Sequence, residues 1–130
     1  MRVSVLVLLG LSCLLAASGS SYDSNMMPET IKSLKLSPYL VGLIRSLFGL
    51  SNLLFAIFPN RHLIEKLGRL NMIIVGGVII GGSIIALNVS FFITNGTLFL
   101  TSAILFTILQ GMGNSIANIG GNALVAAFFP

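Results

Sequence analysis

Three runs of this chain, residues 38–58, 72–94 and 98–129, are each long enough to cross a bilayer, and between them they carry one charged residue, Arg45. A span needs roughly 20 predominantly apolar residues. Backbone polar groups in hydrocarbon must be satisfied within their own segment, which commits such runs to helices. Of the 130 residues, 55% are hydrophobic and 8% charged. A water-soluble surface draws on about a quarter of all residues being charged, so a soluble domain is excluded. The fold class expected is all-α, a polytopic membrane helical bundle.

A fourth apolar run, Val3–Ala17 and extending to about Tyr22, precedes these. It reads in two ways. As a retained span it brings the count to about four helices, over roughly 3–22, 38–58, 72–94 and 98–129. As a signal peptide it starts at Arg2 and ends at the small residues Ala16-Ala17-Ser18-Gly19, the pattern of a cleavage site. A polar stretch from Asp23 to Ser37 separates it from the second run, which opens at Ser37-Pro38. Serine can cap a helix and proline suits its first turn. A basic connection, Pro59–Asn71, holds Arg61, Lys66 and Arg69. With Arg2 these outweigh Lys32 and Lys35 on the opposite side, which places the N-terminus and the 59–71 loop in the cytoplasm. The two Asn-X-Ser/Thr sequons, at Asn88 and Asn95, then fall on the far side, in a loop so short that chance occurrence is the favoured reading.

The last run carries amides at Gln110, Asn114, Asn118 and Asn122, every fourth residue. On a helical wheel with Gln110 at 0°, they advance by about 40° each to about 120°. Met112, Ile116 and Ile119 lie at roughly 180–240°, and Gly113, Ala117, Gly120 and Gly121 between roughly 280° and 20°. The small face lets a neighbouring helix approach closely. Amides inside a membrane are costly unless they face protein, water or a ligand. The stripe therefore lines a polar cavity or acts as hydrogen-bonding glue between helices. Arg45 lies about 10 Å into its helix at 1.5 Å per residue, with Gly49 and Asn52 on the same face. It either faces water in the bundle or snorkels to the interface. The third run has a Gly77-x-x-x-Gly81 pair and no strongly polar residue before Asn88, which marks a packing or lipid-facing helix.

Other chemistries find no footing. The net charge of +4 is spread between apolar runs, whereas nucleic-acid binding needs clustered basic residues. Cys13 and His62 are single, so no disulfide, thiol or metal centre is expected, nor any cofactor. No nucleophile stands beside a base within the spans, so an enzyme is not expected.

Glu65-Lys66-Leu67-Gly68-Arg69 resembles the second half of the motif G-x-x-x-D-(R/K)-x-G-(R/K), which the major facilitator superfamily places between its second and third helices. Arg61 takes the opening glycine position. Gln110-Gly111-Met112-Gly113, followed by Phe128-Phe129-Pro130, is similar to the family's R-x-x-x-G-x-G fourth helix, with Thr107 at the arginine position. Tyr39-Leu40-Val41-Gly42 resembles the start of its second helix. The set spans about Met26 to Pro130 and is most similar to the drug:proton antiporter and vesicular amine or polyamine branch. That branch's acidic residue in the middle of the first helix has no counterpart, because Asp23 lies nearer the helix end.

The resemblance implies a retained first helix and a fold of twelve helices in two halves built from three-helix repeats, of which this chain is an N-terminal fragment, inactive alone. It implies transport of a small organic solute, driven by a coupled proton or ion, in contact with the lipid bilayer and the remaining helices of the transporter. Arg45, Asn52, Gln110, Asn114, Asn118 and Asn122 are the substrate-path candidates. Glu65, Lys66, Gly68 and Arg69 are the cytoplasmic gate candidates. The alternative is a stand-alone four-span membrane protein with a structural or interaction role, whose amide stripe is an oligomer interface.

Overall fold

The computed structural model describes residues 25–57 and 65–128, together with Val7, Gly10 and Leu14. The described residues form helices joined by short turns. Three helices are long and apolar enough to cross a membrane: α1 (Tyr39–Ile57), α2 (Arg69–Ser90) and α3 (Gly96–Phe128). The first apolar run falls outside the described residues except for Val7, Gly10 and Leu14, all helical. Its span, its cleavage site, Asp23, Arg61 and Pro130 lie outside them.

Local chemistry explains the helix starts. At α1 the amides of Leu40 and Val41 bond the carbonyls of Ser37 and Pro38 at 3.1 and 3.2 Å. Proline's fixed φ suits this entry. At α2 the chain arrives through Gly68, at φ 78° and ψ 156°, a region essentially closed to side-chain-bearing residues. The helix therefore begins at Arg69, three residues before the expected Met72. It ends at Ser90, where the amides of Phe91, Phe92 and Ile93 tighten onto Asn88, Val89 and Ser90. Phe91–Thr94, expected to continue the helix, instead turn the chain. The Phe91 ring packs on Phe99, with centroids 6.0 Å apart. Asn95 starts α3: its Oδ1 accepts from the Thr97 amide at 3.1 Å and its carbonyl from Phe99 at 2.9 Å.

Within the polar stretch between the first two runs, residues 25–33 are helical. Met27 and Ile31, four residues apart, are buried, while Glu29, Lys32 and Ser33 are exposed. This one-sided pattern supports a helix that lies on a core. It ends at Lys35 (φ 55°), where Leu36 N–H bonds Ile31 O at 3.0 Å and Lys35 N–H bonds Lys32 O at 3.1 Å. These two bonds make a Schellman stop with lysine in the position usually taken by glycine.

α3 is the central helix. α1 runs parallel to it: Ile44 shares a cluster with Phe99 and Ala103, and Ser51 lies against Gly111. α2 runs antiparallel: Leu87 shares that same cluster, Gly76 lies against Gly113 and Ala117, and Arg69 against Gly120. Gly111 and Gly113 are about 160° apart around the helix at 100° per residue, so the partners take opposite sides. A Cβ on Gly111 would overlap Ser51 Oγ and come within 2.8 Å of Phe48 O. One on Gly76 would come within 2.6 Å of the Ala117 amide. The small face expected at Gly113, Ala117 and Gly120 thus receives a helix, while Gly121 meets open space. Gly77 and Gly81 also meet open space, so the G-x-x-x-G pair is not the contact. Its neighbour Gly76 is.

Candidate functional site

The apolar core occupies one end of the bundle. Met27, Ile31, Ile44, Leu87, Phe99 and Ala103 are buried there beside the α2–α3 turn. Further along α3 the buried residues become polar: Thr107, Gln110 and Ser115, with Ser51 on α1 and Ser83 on α2. Two of these hydroxyls bond back into their own helices, Ser51 Oγ donating to Phe48 O at 3.0 Å and Ser83 Oγ to Ile79 O at 2.6 Å. This local pairing lets a serine sit in an apolar environment. Ser115 Oγ differs. It is the one buried side-chain polar atom among the described residues without a hydrogen-bond partner, on a residue only 2% exposed.

The amide stripe is graded. Gln110 is buried, Asn114 half-buried, and Asn118 and Asn122 exposed. The gradient follows depth. Gln110 sits beside Gly111 in the α1 contact, whereas Gly120, between the two exposed amides, reaches Arg69 O at 3.1 Å from its would-be Cβ. Asn118 and Asn122 therefore flank the level where α2 begins. α3 is 33 residues long, about 50 Å at 1.5 Å per residue, against about 30 Å of hydrocarbon. Its last turns extend past the Arg69 level. Asn122 lies on that extension, so only the Gln110–Asn118 part of the stripe bears the full cost of membrane burial.

The gate candidates stand at this same end. Glu65, Lys66, Gly68 and Arg69 are all exposed, and the Arg69 carbonyl reaches α3 at Gly120. Gly120 lies on the small face, about 160° around the helix from Asn118 and Asn122 at 100° per residue, so the gate candidates share a level with the end of the stripe but not its face. Asn52 is half-buried, and its backbone nitrogen would be 3.2 Å from a Gly111 Cβ, which places the residue at the level of Gln110 and Asn114. Arg45 is exposed on α1, directly after buried Ile44 and away from the Ser51–Gly111 seam. On the expected lipid face Leu98 and Leu105 are exposed, while Met112, Ile116 and Ile119 are half-buried.

Sequence reasoning missed Ser51 and Ser83 as members of the polar belt. The available signal was a hydroxyl beside a glycine-lined face. Asn88, the first sequon residue, is half-buried within α2 and donates from Nδ2 to Ile84 O at 2.8 Å. Asn95 is exposed in the turn. No group of three or more His, Cys, Asp or Glu side chains comes together among the described residues. No protein-family model, no curated protein and no solved structure matches this chain.

Proposed function

We propose that this chain contributes the N-terminal helices of a secondary transporter of major facilitator type, which moves a small organic solute along the amide face of α3. One observation carries the reading: the stripe passes from buried Gln110 through half-buried Asn114 to exposed Asn118 and Asn122, at the end of the bundle where α2 begins. Asn52 on α1 adds a polar group to the wall, whereas Arg45, exposed and away from the Ser51–Gly111 seam, stands outside it. Glu65, Lys66, Gly68 and Arg69 form the loop whose position relative to α3 controls access. Further helices, covering the exposed amide face, complete the path, and a proton or ion gradient drives the solute. The partial motifs at 65–69 and 110–113 support the family assignment.

The test is chemical accessibility. In a Cys13→Ala background, single substitutions Asn114→Cys, Asn118→Cys and Asn122→Cys are compared with Leu105→Cys and Met112→Cys in membranes open on both sides. A small impermeant thiol reagent is expected to label the first three and spare the last two, since hydrocarbon suppresses the thiolate. An organic solute of the transported class is expected to slow labelling at Asn114→Cys. Protection at all three asparagine positions would defeat the reading and favour a stand-alone membrane protein whose amides form an oligomer interface.

A further inference from the structure

We propose that residues 25–36 form a strap that seals the bundle at the α2–α3 turn end, so that the polar belt is shut on that side and reached only from the Arg69 side. The inference rests on the reading of the α3 amide face as a solute path. Three observations converge on it. The strap is the one described element whose apolar side closes the end of the bundle: Met27 and Ile31 join Ile44 from α1, Leu87 from α2, and Phe99 and Ala103 from α3 in a single cluster. Every member is at most 5% exposed. Immediately beyond this plug, one turn past Ala103, the buried residues turn polar at Thr107 and Gln110. At the opposite end Asn118 and Asn122 are exposed on the α1 side of α3, while Met72 and Gly120 are buried where α2 meets it. The arrangement is therefore asymmetric, an apolar stopper on one side of a polar belt and exposed amides on the other.

The strap also has the construction of a detachable part. Its outer side is polar, with exposed Glu29, Lys32, Ser33 and Lys35, so water can replace its surroundings on that side without loss. Its hinge lies at Lys35–Ser37, between the Schellman stop and Pro38. Lys35 occupies the left-handed region at φ 55°, which a lysine adopts only at a cost, and that cost favours release. Leu36 holds the hinge side down against Gly96, 3.6 Å from its would-be Cβ. Lifting the strap would expose Phe99, Ala103 and the Thr107 level to the aqueous phase beside the turn.

Two reporters in the Cys13→Ala chain test this: Thr107→Cys behind the seal and Asn118→Cys at the open mouth. Each is placed in sealed vesicles of known orientation and treated with an impermeant methanethiosulfonate from one side at a time. With the strap intact, Thr107→Cys is expected to be unreactive from the α2–α3 turn side, and Asn118→Cys reactive from the Arg69 side. Adding Ile31→Glu, which places a charge in the plug, is expected to raise Thr107→Cys reactivity from the turn side by roughly tenfold or more, as a rare open state becomes common. Thr107→Cys remaining silent from that side, while Asn118→Cys keeps its reactivity, overturns the seal and leaves the path standing. Asn118→Cys unreactive with the strap intact overturns the path itself. Should Ile31→Glu abolish Asn118→Cys labelling, Ile31→Ala decides in its place: a rise at Thr107→Cys supports the seal and no rise overturns it.

Discussion

Four residues set what the helices can do at their contacts. Gly111 is irreplaceable for a steric reason, because any Cβ there runs into Ser51 Oγ and Phe48 O. Overpacking of this kind costs about 1–3 kcal/mol. Gly111→Ala is therefore expected to lower the thermal midpoint of the purified chain in detergent, and Gly76→Ala likewise. Gly77→Ala and Gly81→Ala point into open space and should leave the midpoint unchanged or slightly raised; equal damage from all four would refute the assigned contacts. Gly68 matters for its backbone instead. At φ 78° and ψ 156° a side chain costs about 1–3 kcal/mol, so Gly68→Ala should destabilise more than Gly96→Ala, where the nearest atom is a comfortable 3.6 Å away. Ser115 gives a test of opposite sign. An orphaned buried hydroxyl carries a penalty of about 1–3 kcal/mol. Ser115→Ala is expected to raise the midpoint in the absence of solute, and a fall would mean that the hydroxyl is satisfied.

Among the elements, residues 25–33 and α3 depart most from a plain reading of hydropathy. The 25–33 helix is too polar to span a membrane, yet its Met27–Ile31 pair completes the apolar core. Its stop at Lys35 invites glycine. Lys35→Gly removes a left-handed strain of about 1–2 kcal/mol, partly offset by greater freedom of the unfolded chain. The expected outcome is slower hydrogen exchange at the amides of Lys35 and Leu36; faster exchange would contradict the Schellman assignment. α3 is longer than a bilayer needs, and its amides emerge where Arg69 crosses it. α1 and α2 take its opposite sides, and Asn118 and Asn122 lie on the α1 side, within about 20° of Gly111 at 100° per residue, at a level beyond the Ser51–Gly111 contact.

At the scale of the molecule, three spanning helices packed side by side with α3 in the centre form an open bundle with one plugged end. Tyr39 and Phe92, both 87% exposed, stand at that end as interfacial aromatics do. Lys66 and Arg69 stand at the other. On the positive-inside expectation the Arg69 end would face the cytoplasm. A glycosylation acceptor inserted beside Asn95 is accordingly expected to be modified in microsomes and one inserted beside Glu65 to remain bare. The reverse pattern would invert the topology and with it the side from which the polar belt is reached.

Membrane residence, helical class and the approximate limits of the three described spans were legible in the residues alone. Lipid offers the backbone no hydrogen bonds, so a charge-poor run of that length has one structural outcome. The 3.6-residue period also separated the small face of α3 from its amide face correctly, because wheel geometry needs no knowledge of neighbours. Only the tertiary structure decided which glycines are contacts. Gly76 and Gly77 are adjacent and chemically identical, and the position of α3 alone distinguishes them. It also decided that residues 25–33 fold back as a helix, since Met27 and Ile31 find their apolar partners on three other elements distant in sequence. The gradient along Gln110, Asn114, Asn118 and Asn122 arises in the same way. Four like residues differ in exposure because α1 and α2 cover different lengths of the helix that carries them.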